Sequence, residues 1–478
     1  MDFDELLELV GSLQSRLRVC SDSRRVGKGD VFVATAGTKA DGHNFIKEAV
    51  DKGAGYVVCE RSPGLQGAKV IIVEDSTKSL GQLAQASFGN PSAKLANLAV
   101  TGTNGKTTVC FLVRSVIQTA GQKCGLIGTI VYETGKDSTN AFLTTPDALD
   151  VAQIASQAIK AGARFMVLEA SSHALSQNRL AGLDFAAAAF TNLTGDHLDY
   201  HKTAEDYLAA KMKLFEQLPK EATAVLNKQS PEAGRIAAKT AAKILWYAID
   251  DQADIVGRIK AMDINEIRFS LEYAGQKEFV TTSLTGVHNV SNHLAAAGLC
   301  IAAGFDLNVI APGLAALKSV PGRLETVDRG QNFAVLVDYA HTDDALKNVL
   351  TTLRPLCKAK LAVVFGCGGD RDRSKRPRMA KAAAQLADSV IVTSDNPRTE
   401  RPEDIIEDII GGFSRSDWEK VTIEPDRKTA IELAVKSAGK DDIILIAGKG
   451  HETYQIIGDK KIEFDDKKIV QDFLKVIT

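Results

Sequence analysis

Leu98-Ala99-Val100-Thr101-Gly102-Thr103-Asn104-Gly105-Lys106-Thr107-Thr108 decides how this chain is read. An apolar run that reads as a buried strand meets two glycines and then a helix start near Lys106, and that arrangement is a phosphate cradle. The glycines let the backbone fold close around an oxyanion, so that successive N–H groups and the positive end of the helix address the same charge. Lys106 adds a mobile positive charge for the outer phosphates, and Thr107 offers a hydroxyl to Mg2+. The general pattern G-x-x-x-x-G-K-[ST] asks for glycine where Val100 stands, so this is a variant of it. The competing reading is an ordinary strand-to-helix turn of small polar residues.

The rest of the chain sets bounds on what that cradle serves. At 478 residues it exceeds a single core and is long enough for three domains. With 45% hydrophobic and 25% charged residues and a formal charge of −2, nothing suggests duplex nucleic acid as a bulk electrostatic partner. The seven cysteines include no C-x-x-C pair, which argues against a disulfide framework or a zinc site. Met1-Asp2-Phe3-Asp4-Glu5 is acidic where a signal peptide is basic, and no apolar run reaches bilayer length. A cytoplasmic protein without a membrane partner is expected.

Working outward, three α/β blocks follow one another, at 1–92, 93–322 and 323–478. The first carries short apolar runs at Asp30–Ala34, Gly55–Cys59 and Val70–Val73 and closes at the turn Gly89-Asn90-Pro91-Ser92. The second opens with the phosphate loop, continues with strands at Phe165–Leu168 and Phe185–Phe190, and changes to an antiparallel meander between Asp254 and Thr285, ahead of a helix over Asn289–Ala303. The third predicts strands at Phe333–Val337, Leu361–Phe365, Ser389–Thr393 and Asp442–Ile446, with ligands expected at their carboxyl ends.

Chemistry-bearing residues gather after these strands. Glu169 closes Val167-Leu168-Glu169, where a carboxylate either serves a metal or caps the next helix. His197 follows the strand ending at Phe190 and is a second ligand candidate. Lys211 lies in the helix predicted over Asp206–Leu218, within the apolar face of Leu208, Met212 and Phe215. It either snorkels out or is desolvated, and a desolvated neutral amine adds CO2 to become a carbamate. From spacing alone snorkelling is favoured. The basic run Arg371-Asp372-Arg373-Ser374-Lys375-Arg376 lacks interleaved aromatic residues and suits phosphate or carboxylate better than nucleic acid. Asp395-Asn396-Pro397-Arg398 presents an arginine fork after one strand, and Gly448-Lys449-Gly450-His451-Glu452 follows another, with Glu452 available for an ammonium group. A fork and an acid together describe an amino-acid pocket.

In this order, and over nearly the whole chain, these clusters resemble the Mur ligase family. Thr101-Gly102-Thr103-Asn104-Gly105-Lys106-Thr107-Thr108 is similar to that family's own phosphate loop. The resemblance implies a three-domain α/β architecture: an N-terminal domain for a UDP-sugar, a central phosphate-loop ATPase domain and a Rossmann-like C-terminal domain for the incoming amino acid. It implies ATP-dependent ligation of meso-2,6-diaminopimelate to UDP-N-acetylmuramoyl-L-alanyl-D-glutamate through an acyl phosphate, with ADP and phosphate as products, in peptidoglycan precursor synthesis. The alternative is the L-lysine-adding version of the same ligase. ATP, Mg2+ and a monomeric chain are expected.

Residue by residue, the resemblance implies nucleotide contacts at Gly102, Thr103, Asn104, Gly105, Lys106, Thr107, Thr108, Asn289, Arg323 and Asp338. It implies Thr107, Glu169, His197 and a carbamylated Lys211 around magnesium, with Lys106, Glu169, His197 and Lys211 catalytic. It therefore reverses the spacing argument for Lys211. Ser21, Ser23, Thr38, Lys39, Ala40, Thr144, Thr145, Ser171, Gln177 and Arg179 resemble contacts to the UDP-muramoyl dipeptide. Arg371, Asp395, Asn396, Pro397, Arg398, Gly448 and Glu452 match positions for the added amino acid. The quartet ending in Arg398 is the form associated with diaminopimelate, whose second carboxylate needs that charge. The chain departs from the family pattern at His288, where relatives have an aromatic residue, and at Asp343, where proline is frequent.

Overall fold

Parallel pairing dominates the computed structural model, which describes residues 1–12, 17–37, 40–195 and 198–477, the side chains of 198, 199, 476 and 477 excepted. Among the described residues the strands make four sheets. The first block forms a four-stranded parallel sheet of Val19–Cys20, Val31–Val33, Tyr56–Cys59 and Lys69–Ile72.

The central sheet has eleven strands. Its middle is parallel, with Phe185–Phe190, Ala96–Thr101, Phe165–Glu169 and Cys124–Ile127 side by side. Helices cover both faces of this region, which explains why these strands read as continuous apolar runs. The expected meander is present at one edge, as the antiparallel strands Ile255–Met262, Ile267–Tyr273 and Gln276–Thr282. The neighbouring helix is Val287–Ala302, and the helix carrying Lys211 is Ala204–Glu216, started by Thr203, whose hydroxyl accepts from the Asp206 amide.

The C-terminal sheet runs Glu325–Thr326, Ala334–Asp338, Ile443–Ala447, Leu361–Phe365, Ser389–Val392, Val421–Ile423, with every pairing parallel except the first. Phe185–Phe190 and Leu361–Phe365 have the bounds expected, and the other strands predicted with bounds differ by one residue at one or both ends, because ladder bonds and not apolarity decide where a strand stops.

The turn at Gly89–Ser92 is not a bare linker. Ser92 Oγ accepts from the Asp184 amide at 2.7 Å, and the Asn97 side chain donates to Ser92 O at 3.0 Å. Ala148 and Ala152, from the helix Ala148–Lys160, share a core with Leu6, Val31 and Leu83, so the first and second blocks pack as neighbours.

Candidate functional site

A cavity of about 630 Å3 is lined from both larger sheets, among others by Lys106, Thr107, Glu169, Lys211, Arg323 and Asp338. The helix Lys106–Thr119 begins at Gly105 (φ +89°) with no side chain capping it, whereas Asp75, Asp147, Thr203, Thr342 and Asp426 each cap the helix they precede. Its first turn carries buried Thr107 and Thr108, whose amides stand at an uncapped helix start that suits an anion. Glycine is required in the loop. A Cβ on Gly102 (φ +146°) would stand 1.9 Å from Thr191 Oγ1, and one on Gly105 2.3 Å from Asn292 Oδ1.

One expectation for the loop needs correction. The Thr103 and Asn104 amides donate to Asn192 O (2.9 Å) and Asn192 Oδ1 (3.0 Å), so these two residues shape the cradle without lending it amide donors. Lys106 Nζ donates to the carbonyls of Gly102 (2.9 Å) and Thr103 (2.8 Å), lying over its own loop.

On the same cavity wall, Arg323 Nη2 donates to Thr107 Oγ1 at 3.2 Å and its guanidinium lies 5.2 Å from the Tyr339 ring centre. Its Nε is buried with no partner among the described residues, a deficit an anionic ligand would relieve. Asp338 accepts from the Leu324 (2.7 Å) and Ala340 (2.8 Å) amides, while burial holds its carboxyl above the usual carboxylate range. Asn289 is locked at the start of its helix, donating to Thr285 O at 2.7 Å and accepting from Asn292 at 2.9 Å. His288 faces Thr352 Oγ1 at 3.3 Å and Asp343 pairs with Arg378 at 2.9 Å, so both departures from the family pattern are absorbed locally.

Glu169 is 1% exposed at the end of its strand. Oε1 accepts from the Thr129 amide at 2.8 Å and Oε2 from the Thr129 hydroxyl at 3.0 Å, which leaves each oxygen further acceptor capacity. It does not cap the next helix; Ser171 does, with Oγ accepting from the Ala174 amide. Lys211 overturns the snorkelling expectation. It is 1% exposed, donates to Gly102 O at 2.9 Å, and lies 4.3 Å from the Tyr207 ring centre. Tyr207, Leu208, Met212 and Phe215 are buried, and that packing carries the amine into the site with them.

No cluster of three or more His, Cys, Asp or Glu side chains able to hold a metal occurs among the described residues. A buried carboxylate and a helix-start hydroxyl are hard oxygen donors that fit Mg2+ shared with phosphate oxygens, the usual manner of that ion. His197 lies outside the described residues.

A second cluster forms where the loops after Leu361–Phe365, Ser389–Val392 and Ile443–Ala447 converge. Gly368 leaves room for two arginine side chains, since a Cβ there would stand 2.8 Å from Arg398 Nη1 and 3.8 Å from Arg371 Cγ. Gly448 (φ +114°) does the same for Asp395, whose Oδ2 would be 2.6 Å from a Cβ. Arg398 takes the left-handed conformation (φ +53°) and is tied by its backbone to the hairpin of Tyr454–Ile457 and Lys460–Glu463: it donates to Ile456 O at 3.1 Å and accepts from Gly458 at 2.7 Å. Pro397 is buried, and its carbonyl would meet a Cβ on Gly369 at 1.9 Å. Gly448 N donates to Asp338 O at 3.0 Å, linking this cluster to the first cavity.

Two readings of this cluster change. Asn396 is buried and committed, donating to Glu452 Oε2 at 2.9 Å and accepting from Lys449 Nζ at 3.1 Å and the Ile456 amide at 3.0 Å. Glu452 is not reserved for a ligand ammonium either, because Lys449 Nζ stands 3.0 Å from the same oxygen. The basic run also turns inward. Arg376, fully buried, pairs with Glu400 and Asp408 at 2.8 Å each and holds Glu400 down to about 2; Arg373 also pairs with Asp408. Arg371 stays exposed.

Sequence models named Mur ligase family, catalytic domain, Mur ligase middle domain and Mur ligase, glutamate ligase domain match residues 18–88, 100–300 and 322–450. The chain belongs to the Mur ligase family. A Geobacillus thermodenitrificans relative named UDP-N-acetylmuramoyl-L-alanyl-D-glutamate--2,6-diaminopimelate ligase is 46% identical over 95% of this chain and 94% of its own. A Solibacter usitatus relative of the same name is 45% identical over 95% and 92%. A solved structure of a ligase so named superposes with a TM-score of 0.70 at 34% identity, covering 98% of this chain and 99% of that one. At 19% identity, the MurF ligase of Thermotoga maritima in complex with ADP shares the fold, with a TM-score of 0.62 over 98% of each chain.

In this Mur ligase the remaining predicted residues fall into two groups. Thr144 and Ser171 line the first cavity, Thr144 Oγ1 lying 3.2 Å from Thr129 Oγ1. Thr145 is 1% exposed and donates to Glu169 O at 2.6 Å, so its hydroxyl fixes the loop. Arg179 donates to Thr145 O at 2.8 Å and to Gln177 Oε1, and Gln177 reaches Tyr200. Ser21, Ser23 and Ala40 lie outside that cavity's lining; Ser23 is buried, with Oγ donating to Glu48 at 3.0 Å. Thr38 and Lys39 lie outside the described residues. Sequence reasoning passed over Thr129, Asn192, Ser172 and Lys449. Ser172 Oγ is buried in the cavity wall without a partner among the described residues. For Lys449 a signal existed: a charged residue between two glycines directly after a buried strand.

Proposed function

We propose that this chain joins meso-2,6-diaminopimelate to UDP-N-acetylmuramoyl-L-alanyl-D-glutamate with ATP, through an acyl phosphate, in peptidoglycan precursor synthesis. The observation that carries the choice of amino acid is Arg398, held left-handed beside Arg371 over Gly368. Two guanidinium groups suit a second carboxylate, which lysine lacks. The names of the full-length relatives support the same reading.

In this scheme the glutamyl carboxylate attacks the γ-phosphorus and ADP leaves; the amine then attacks the acyl carbon, phosphate departs and the nitrogen gives up a proton. Lys106, Arg323 and the first-turn amides of Lys106–Thr119 offset the phosphate charge. Asp338 and Asn289 lie toward the nucleoside. Mg2+, with Thr107, Glu169, His197 and a carbamylated Lys211 as the residues to hold it, would supply charge neutralisation for the transfer. We assign Ser21, Ser23, Thr38, Lys39, Ala40, Thr144, Thr145, Ser171, Gln177 and Arg179 to the sugar nucleotide, and the blocks 1–92, 93–322 and 323–478 to the three substrates' domains. No described helix is long and apolar enough to cross a membrane, and the use of ATP and a nucleotide sugar supports a cytoplasmic reaction.

The test supplies purified protein, ATP, Mg2+ and the UDP-muramoyl dipeptide with either diaminopimelate or L-lysine, and follows phosphate release and product mass. A diaminopimelate adduct is expected. Turnover with lysine alone would replace this assignment with the alternative ligase, and ADP release without any adduct would end it.

A further inference from the structure

Lys449 is fully buried, yet its ammonium stands among the residues assigned above to the amino acid. Nζ lies 3.0 Å from Glu452 Oε2 and 3.1 Å from Asn396 Oδ1, and 5.5 Å from the Tyr454 ring centre. Glu452 Oε2 also accepts from Asn396 Nδ2, so three side chains close one node and Oε1 is the carboxylate oxygen that remains for a ligand. We infer that Lys449 is a specificity-determining residue that sets the pocket's charge in favour of a diamino diacid over a diamino monoacid. This rests on the amino-acid assignment proposed above.

The argument is a charge balance. Three cations, Arg371, Arg398 and Lys449, share the cluster with two carboxylates, Asp395 and Glu452, an excess of one positive charge. Other charges nearby cancel or are spent. Arg373 and Arg376 are matched by Glu400 and Asp408, and Arg427 by Asp466. Asp370, which holds Thr399, and Lys461, 3.5 Å from the Tyr454 ring centre, are both exposed and of opposite sign, so together they leave the balance unchanged. His451 is neutral at pH 7, burial pulling it down to about 4.

Diaminopimelate with its reacting amine deprotonated carries two carboxylates and one ammonium, an excess of one negative charge. Lysine in the same state is neutral. The pocket as built complements the first. Without Lys449 the pocket itself is neutral, and the exposed edge of Glu452 then favours an ammonium unopposed. A unit charge at this range, in surroundings of intermediate dielectric, is worth about tenfold or more in discrimination.

The experiment compares kcat/KM for diaminopimelate and L-lysine in the unaltered enzyme, Lys449→Met and Lys449→Arg, together with the KM values for ATP and the UDP-muramoyl dipeptide. Lys449→Met is expected to lower the diaminopimelate-to-lysine ratio about tenfold or more, through KM for the amino acid, while Lys449→Arg keeps it. Lys449→Met combined with Glu452→Gln removes both charges of the pair, restores the excess of one positive charge, and is expected to recover most of the ratio. Because it leaves no unpaired buried carboxylate, the double variant also carries the test should the single variant fail to fold. A ratio unchanged in Lys449→Met, KM values for all three substrates rising together, or a folded double variant without discrimination overturns the inference. If the unaltered enzyme does not ligate diaminopimelate, the functional assignment falls first.

Discussion

Lys211 Nζ donates to Gly102 O at 2.9 Å, so the helix Ala204–Glu216 delivers an ammonium to the outer side of the phosphate loop while Lys106 Nζ reaches the same carbonyl from within it. Two lysines on one carbonyl concentrate positive charge, and converting one of them to a carbamate would reverse its sign. Lys211→Arg therefore separates charge from chemistry. If the carbamate is needed, Lys211→Arg loses about 100-fold or more of turnover, as Lys211→Ala does, and added short carboxylic acids partly rescue the alanine variant. Full activity in Lys211→Arg, measured by phosphate release, would exclude the carbamate.

Thr129 holds both oxygens of Glu169, one through its amide and one through its hydroxyl. Thr129→Val removes the second bond and keeps the first. The carboxylate then gains rotational freedom, and the expected outcome is a several-fold rise in the Mg2+ concentration giving half-maximal activity, with the thermal midpoint little changed. A Mg2+ titration of initial rates checks this.

The legibility of the site in the sequence followed the length of the interaction. Lys106 and Glu169, which line the cavity, announce themselves through the strand and turn they terminate. The internal bonds of Asn396 and Glu452 are not legible in the sequence, because their partner, Lys449, comes from another loop in the first case and is hidden between glycines in the second. Arg376 looked like part of a binding patch because Glu400 and Asp408 lie far along the chain. For Lys211 spacing alone favours snorkelling, because helical spacing gives a face but not the depth at which that face is buried. The fold was clearer: buried parallel strands and glycine turns are local patterns, whereas the shared core of Ala148, Ala152 and Leu83 is a tertiary outcome with no local signature.

Gly102 permits a test of the phosphate loop that does not touch charge. Its φ of +146° and the 1.9 Å approach of Thr191 Oγ1 to a Cβ both oppose a side chain. Gly102→Ala should abolish nucleotide binding, measured by calorimetry with ADP. Adding Thr191→Ala removes the clash but not the backbone strain, so binding should return only in part.

Acid lability should show two separate windows. His293 is fully buried with Nδ1 2.6 Å from Asn289 O, and burial pulls its pKa from 6.5 to about 4. His451 is lowered to about 4 for the same first reason. The unfolded chain binds protons on both near pH 6.5, while the folded chain does so near 4. Stability therefore rises with pH across that interval and levels off above it. Glu400, lowered by Arg376 from 4.5 to about 2, stabilises fully above its unfolded pKa and loses that contribution as pH falls toward 2. His293→Gln should reduce the slope in the upper window, which His451 still supports, and leave the lower one intact in urea unfolding.

Arg427 and Asp466 form a pair with no exposure on either side, at 2.8 Å from Nε to Oδ1 and 2.7 Å from Nη2 to Oδ2. The guanidinium also donates to Ala447 O at 2.9 Å and Ser394 O at 3.4 Å, the carbonyls immediately before Gly448 and Asp395. One buried group thus spans the roots of both loops, proposed above to hold the amino acid, and braces them from beneath. Asp466→Leu leaves the guanidinium charge uncompensated and should cost about 3–5 kcal/mol, whereas Arg427→Met with Asp466→Leu replaces the pair by apolar volume and should recover much of that. Stability and positioning then part company. In the double variant the two carbonyls lose their shared donor, so KM for the amino acid should remain several-fold raised while KM for ATP returns to the unaltered value. Thermal unfolding and initial rates on the same preparations decide it, and a stable double variant with an unaltered KM for the amino acid would reduce the pair to a purely structural role.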